Sequence, residues 1–216
     1  MKDYLLEAIA KSMLDTSRTT ATHANKNLFE VDTASPTLPK REAEIFLSVV
    51  AKLFCVSILA RMDILLATSF LTIRVSKSTK QDISKLKRLL EYIKGTIDLE
   101  YVVRADNLGR MMAWVDAAYA VHSGMRRHTG GAISFGRGGI ACKSTKQKLN
   151  TESSTETEFV RASDYLPNTL WVKMFMELQG YKNTESMFAQ QDNESAIKLE
   201  KKGRTSAGPK SRHTMH

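Results

Sequence analysis

Three acids stand where folding alone does not ask for a carboxylate. Asp116 interrupts the apolar run Met111 to Ala120. Glu158 lies in the first turn or so of a helix that begins near Ser153–Thr155, and Asp192 ends a short apolar stretch, Ser186 to Asp192. An apolar run of strand length reads as a buried strand, and a carboxylate within it costs free energy unless a cation or a set of donors satisfies it. If the strands that carry Asp116 and Asp192 are neighbours, and the helix crosses the sheet, the three acids converge at one end of it. Converging carboxylates repel unless cations neutralise them, and an all-oxygen ligand set suits Mg²⁺ or Mn²⁺. Two such ions can activate a water and stabilise the leaving oxygen in phosphodiester hydrolysis. Two of the acids have a second explanation. Glu158 follows Thr155 by three residues and can complete a capping box; Asp192 precedes a helix and can be its N-cap. Glu156 has its own capping partner in Ser153 and rivals Glu158 as a ligand.

The charge around these acids is uneven. Residues 121–150 carry Arg126, Arg127, Arg137, Lys143, Lys146 and Lys148 and no acid. Cations flanking an acidic cluster suit a phosphate backbone. The whole chain has 216 residues, a net charge of +9 and a pI near 9.5, which favours a polyanionic partner. With 42% apolar and 25% charged residues it belongs with soluble globular proteins, so disorder of the whole chain is excluded. The two cysteines, Cys55 and Cys142, match no metal-ligand spacing and read as buried free thiols in a reducing compartment. The N-terminus has no uninterrupted apolar signal region. The most apolar region, 45–73, is broken by Lys52, Arg61 and Asp63, so no run reaches the roughly 18 residues that cross a bilayer. An intracellular protein without a membrane segment is expected.

The elements that must position the acids follow from periodicity. Residues 1–14 form a short amphipathic helix, and 15–39, polar and ending in Pro36 and Pro39, a linker or long loop. Helical spacing begins after Pro39 with Ile45, Val49, Leu53 and Val56. A second helix covers 63–75. A third covers 80–94, with Leu86, Leu89, Leu90 and Ile93 apolar and Gly95 as its stop. The cations of that helix, Lys80, Lys85, Lys87, Arg88 and Lys94, form either a solvated or a phosphate-contacting face. At 97 the pattern changes to strands: 97–103 with 111–119 as one hairpin, Thr129–Phe135 with Ile140–Thr145 as another around Gly136–Gly139. A long helix then runs to Gly180, and Pro167 should kink or split it. A strand at 186–192 and a helix from Asn193 complete the pattern. The expected organisation is a polar segment (1–39), a helical subdomain (40–96), a mixed-sheet α+β domain (97–203) and a loose basic tail (204–216).

Five motifs in one order carry a resemblance: Val-Asp-Ala-Ala-Tyr-Ala (115–120), His-Thr-Gly-Gly-Ala-Ile-Ser-Phe (128–135), Lys-Ser-Thr-Lys-Gln-Lys (143–148), Ser-Ser-Thr-Glu-Thr-Glu-Phe (153–159) and Gln-Asp-Asn-Glu-Ser-Ala-Ile (191–197). Together they resemble the ribonuclease H domain of copia-type retrotransposon polyproteins. Leu-Lys-Arg-Leu-Leu-Glu-Tyr-Ile-Lys-Gly-Thr (86–96) is similar to the connection that precedes that domain, and Arg-Met-Asp-Ile-Leu-Leu-Ala (61–67) is a weaker match upstream. The resemblance implies a ribonuclease H-like mixed sheet flanked by helices. It implies Asp116, Glu158 and Asp192 as catalytic ligands of two Mg²⁺ (or Mn²⁺) ions, and hydrolysis of the RNA strand of an RNA–DNA hybrid. It further implies that Arg126, Arg127, Lys143, Lys146 and Lys148 face the hybrid, and a reverse transcriptase domain of the same polyprotein as partner. Integrase-type relatives end in a glutamate instead; Glu194 and Glu200 are the candidates, and neither follows a strand. Against the family pattern, the chain stops at His216, before a last strand and a helix that carries a fourth acid. No Asp-Asp pair marks a polymerase. The alternative expectation is therefore an inactive, truncated remnant that at most binds nucleic acid.

Overall fold

The structure is a computed structural model that describes residues 1–118, 128–146, 154–181 and 188–190, with backbone alone at 116–118, 154–164 and 188–190. It divides into two units, Met1–Tyr101 and Val102–His216.

The first unit is helical. It comprises α1 (Lys2–Ser12), α2 (Lys40–Leu59), α3 (Leu65–Arg74) and α4 (Lys80–Gly95), with 3-10 turns at Met62–Ile64 and Val75–Lys77. Its core follows the predicted spacing. Phe46, Val49, Val50, Leu53 and Val56 of α2 meet Ile64, Phe70 and Leu71 and the Leu86, Leu89, Leu90, Ile93 stripe of α4. Each such side chain, fully buried, contributes roughly 1.5–3 kcal/mol. The start of α4 is set by a capping box. Asp82 accepts from the Thr79 backbone N–H at 2.9 Å and from its hydroxyl at 3.0 Å, and Arg74 pairs with the same buried carboxylate at 3.2 Å. Cys55 is exposed and Cys142 half-buried, both free, so the expectation of two buried thiols holds for neither fully. Cys55 sits two residues after Leu53, off the buried stripe of α2.

Residues 15–39, expected as a linker, run antiparallel along α4. Lys94 Nζ donates to the Thr16 carbonyl at 3.0 Å, Arg88 to the Thr22 hydroxyl at 2.8 Å, and Lys85 Nζ to the Glu30 carbonyl. Farther along, the Asp32 N–H donates to Gln81, the Lys80 N–H to the Pro36 carbonyl, and Thr37 bridges Thr79. Leu28 enters the core. The cations of α4 thus hold a strap of chain, a role that neither the solvated nor the phosphate-contacting expectation foresaw. Long cationic side chains reach carbonyls that would otherwise lack partners, and such bonds are stronger than neutral ones.

The second unit is a mixed sheet with one long helix. Strands β1 (Arg104–Ala105) and β4 (Gly136–Arg137) pair as a small antiparallel sheet; β2 (Met112–Ala118), β3 (His128–Ser134), β5 (Ala141–Lys146) and β6 (Phe188–Gln190) form the larger one in the order β5-β3-β2-β6. β2–β3 and β3–β5 are antiparallel, and β2–β6 is parallel. The hairpin around 136–139 is present as expected. The other is not: residues 97–103 form no strand, and Val102 and Val103 are exposed. β2 already has β3 on one side and β6 on the other, so an alternating segment before it finds no free edge. This mixed fold is consistent with the ribonuclease H-like architecture, without its last strand and helix among the described residues.

Helix α5 (Ser154–Leu178) packs on β2 and β3, and Met111, Ala113, Ile133, Phe135, Tyr165 and Val172 make the core between. The helix runs through Pro167 without a break. An interior proline costs about 3 kcal/mol, and the buried Tyr165, Thr169 and Val172 on either side offset it. α5 ends at Leu178, and Gly180 just beyond it, with a φ of 88°, closes the helix, with the Tyr181 N–H on the Met176 carbonyl at 3.0 Å.

The sheet–helix contact depends on Gly131. A Cβ there would lie 2.3 Å from a ring carbon of Tyr165, a side chain only 2% exposed. Gly131→Ala is therefore expected to destabilise this unit by about 1–3 kcal/mol through overpacking. Equilibrium urea unfolding followed by tryptophan fluorescence reads this unit alone, because both tryptophans, Trp114 and Trp171, lie in it. An unchanged midpoint would show that Tyr165 yields freely.

Candidate metal and nucleic-acid site

Asp116 lies on β2, an inner strand, one residue before Ala117 and Ala118 at its C-terminal end. Its register partner on β3 is Gly130, which itself pairs with Ser144 on β5. The backbone position of Asp116 is therefore paired with a residue that has no side chain. The antiparallel pair continues to Ala118↔His128.

Glu158 is on α5, the helix that lies against β2 and β3. Because α5 begins at Ser154, Thr155 is inside the helix and not ahead of it. A capping box needs its hydroxyl residue at the N-cap; the residues ahead of Ser154, where that cap would stand, lie outside the described residues. Glu156 stands instead at the third helical position, where a capping glutamate belongs. Asp192 lies outside the described residues. The strand before it, β6, is described to Gln190, which pairs with Trp114. Among the described residues no three His, Cys, Asp or Glu gather into a metal-holding group; with Asp192 beyond them, the proposed triad falls outside that observation.

Of the cations expected to face nucleic acid, Lys143 and Lys146 are on β5, the edge of the larger sheet. Lys143 is exposed and Lys146 half-buried with interactions of its own. Lysines on an edge strand also discourage edge-to-edge pairing between molecules. Arg126, Arg127 and Lys148 lie outside the described residues.

Sequence reading passed over His128 as a chemical group. It is 3% exposed, and its Nε2 is 2.6 Å from the Ser144 hydroxyl. Burial depresses its pKa from 6.5 to about 4, so the ring is neutral at pH 7. The unfolded chain binds the proton more readily, so stability is complete above about pH 6.5 and is lost as pH falls toward 4. The loss is on the order of 3 kcal/mol. Tryptophan-monitored unfolding from pH 7.5 to pH 4 (roughly the window of the linkage) is expected to show that decline, and His128→Gln to flatten it. An equally steep decline in the variant would assign the proton to another group. Cys142, farther along β5 and paired with Ala132, has its thiol pushed up by burial, which makes it a poor nucleophile.

Comparison with known proteins gives partial likenesses. The chain is 33% identical over 102 residues to the uncharacterized mitochondrial protein AtMg00810 of Arabidopsis thaliana, a span of 47% of this chain and 42% of that protein. It is 26% identical over 128 residues to the secreted RxLR effector protein 161 of Plasmopara viticola, 59% of this chain and 90% of that protein. The chain thus spans less than half the length of the Arabidopsis relative. No protein-family model and no solved structure matches. No helix among the described residues is long and apolar enough to cross a membrane.

Proposed function

We propose that this chain derives from a copia-type retrotransposon polyprotein and that its second unit is a ribonuclease H domain. The helical unit is then a remnant of the connection to a reverse transcriptase domain. Asp116, Glu158 and Asp192 hold two Mg²⁺ (or Mn²⁺) ions, and the RNA strand of an RNA–DNA hybrid is the substrate. Arg126, Arg127, Lys143, Lys146 and Lys148 contact the hybrid backbone.

The observation that carries this reading is the parallel pairing of β6 with β2. Trp114 is opposite Gln190, and Asp116 and Asp192 each follow two residues later. A register continued by two residues would make the two acids cross-strand neighbours; Asp192 itself lies outside the described residues. Glu158 is on the helix that lies over β2. The donor set is all carboxylate oxygen, which fits hard divalent cations. Bound there, the ions supply an activated water and stabilise the leaving oxygen. The residues of the chain hold and orient, and β2 and α5 do so from regular elements. The exposed Lys143 adds a sequence-independent attraction that weakens with salt.

A catalytically silent, nucleic-acid-binding remnant is the second reading. It is favoured by the outer face of α5, where Trp171, Met174, Phe175 and Leu178 remain exposed, an apolar surface that an intact domain is expected to cover. Incubation of a labelled RNA–DNA hybrid with the chain, with Mg²⁺ or with a chelator, separates the two. Mg²⁺-dependent loss of the RNA strand, with duplex DNA untouched, supports the nuclease. Binding without cleavage supports the remnant.

A further inference from the structure

The geometry points to a second anion site, in the helical unit, that binds a compact phosphate-type oxyanion. A cavity of about 580 Å³ opens between the start of the strap, residues 15–20, and the last turns of α4. That volume is within the range of small-ligand sites and exceeds what one phosphate fills, so a pyrophosphate or the phosphoryl end of a larger ligand also fits.

Three cations line it: Arg18 from the strap, Lys87 and Arg88 from α4. They are unequally engaged. Lys87 has a loose partner in Glu91 at 4.0 Å. Arg18 is exposed and has no ion-pair partner among the described residues. Arg88 gives one terminal nitrogen to Thr22, while its Nε is buried without any acceptor. A buried charged donor without an acceptor is costly, so Arg88 keeps hydrogen-bonding capacity that the described contacts leave unused. Two acids also line the cavity and limit the choice of ligand. Asp15 is turned onto the Ser17 N–H at 2.9 Å, and Glu91 is beside Lys87. With both in place the rim carries a single excess positive charge, which suits a small anion held by hydrogen bonds more than a long polyanion. Ser17, Thr19 and Thr20 bring hydroxyls to the same wall. No aromatic side chain lines the cavity, so it offers no platform on which a base would stack.

The site is independent of the nuclease proposal, since none of its residues belongs to the second unit. Isothermal titration of the full chain with inorganic phosphate and with pyrophosphate, at constant ionic strength, tests it. Saturable binding is expected for at least one of the two. Arg18→Ala should weaken it about tenfold, the scale of one hydrogen bond to a charged group. Arg18 is exposed and makes no described bond, so circular dichroism should show this variant folded. Arg88→Gln should weaken binding at least as much. Its loss of the Thr22 bond is controlled by comparing its melting temperature with that of Thr22→Ala. The proposal is overturned if neither anion binds, if chloride at the same ionic strength gives the same heat, or if Arg18→Ala binds like the parent. A single-stranded oligonucleotide that displaces pyrophosphate and remains bound in Arg18→Ala would identify a general nucleic-acid surface and overturn the compact-ligand assignment as well.

Discussion

Asp116→Asn is expected to abolish Mg²⁺-dependent cleavage of an RNA–DNA hybrid while leaving the second unit folded. The substitution keeps size and shape and removes one negative charge. If Asp116 is a metal ligand, the loss should be at least about 10²–10³-fold, the scale on which a single electrostatic contribution to a transition state is measured. Stability should hold or rise, because a carboxylate on an inner strand without a cation is a cost that the amide lowers. Initial rates on a labelled hybrid and tryptophan-monitored unfolding, measured on the same preparation, give both quantities. A variant that cleaves as fast as the parent removes Asp116 from the mechanism. A variant that loses activity together with stability makes Asp116 structural, with a donor partner and no metal. Hybrid binding should be kept or improved in either nuclease outcome, since fewer negative charges then face the phosphates.

Arg61→Ala is expected to produce the largest loss of stability in the helical unit, about 3 kcal/mol, the low end for breaking a buried ion pair from one side, because the Asp63 side chain keeps 30% exposure. Arg61 is 4% exposed. Its guanidinium donates to both oxygens of Asp63, at 2.9 and 2.8 Å, and to the Thr96 carbonyl and hydroxyl at 3.0 and 2.7 Å. Tyr92 donates its hydroxyl to the same carboxylate at 3.0 Å. One side chain therefore ties the turn after α2 to the C-terminal end of α4, whose last carbonyls need donors. Alanine leaves the Asp63 carboxylate and the Thr96 carbonyl without their main partner. Arg61→Met with Asp63→Leu should cost less than Arg61→Ala alone, because it removes both charges and keeps the volume. Urea unfolding followed by far-ultraviolet circular dichroism measures the difference. If the double variant is the less stable, the pair is net stabilising and the apolar replacement argument fails here.

The same pair gives the helical unit an acid limit. Burial works to raise the pKa of Asp63, but the hydrogen bonds and charge of Arg61, with the Tyr92 hydroxyl, outweigh it and hold the carboxyl below its usual 3.8. A depressed carboxylate contributes stability that is present above the unfolded value and lost as pH falls through the folded one. Its window thus lies below pH 3.8, under the window of His128, and the two units should lose stability to acid in different ranges.

The helices of the first unit were legible because each carries its own period. The Leu86, Leu89, Leu90, Ile93 stripe and the Thr79–Asp82 box specify α4 with no knowledge of what packs on it. The β3–β5 hairpin was legible for a similar reason: a glycine-rich turn between two runs of strand length is a local signal. The candidate triad was visible only as three acids in unusual surroundings. Local spacing says nothing of which strands become neighbours, and the parallel approach of β6 to β2 joins residues far apart in the chain.

Composition and periodicity by themselves determined the helical first half, the change from helices to strands beyond α4, the mixed α/β class and the three acids worth testing. Tertiary structure alone decided the rest. It paired β2 on both sides, which left 97–103 without a strand partner despite its alternation. It laid residues 15–39 along α4, where cations that read as either a solvated or a phosphate-contacting face became hydrogen-bond donors to a strap. It buried His128 and set Tyr165 over Gly131, a contact that requires the absence of a side chain. The physical reason is common to all of these. Propensity and period act over a few residues, whereas a free strand edge, an unpartnered carbonyl or a space beside a glycine exists only once distant segments have met.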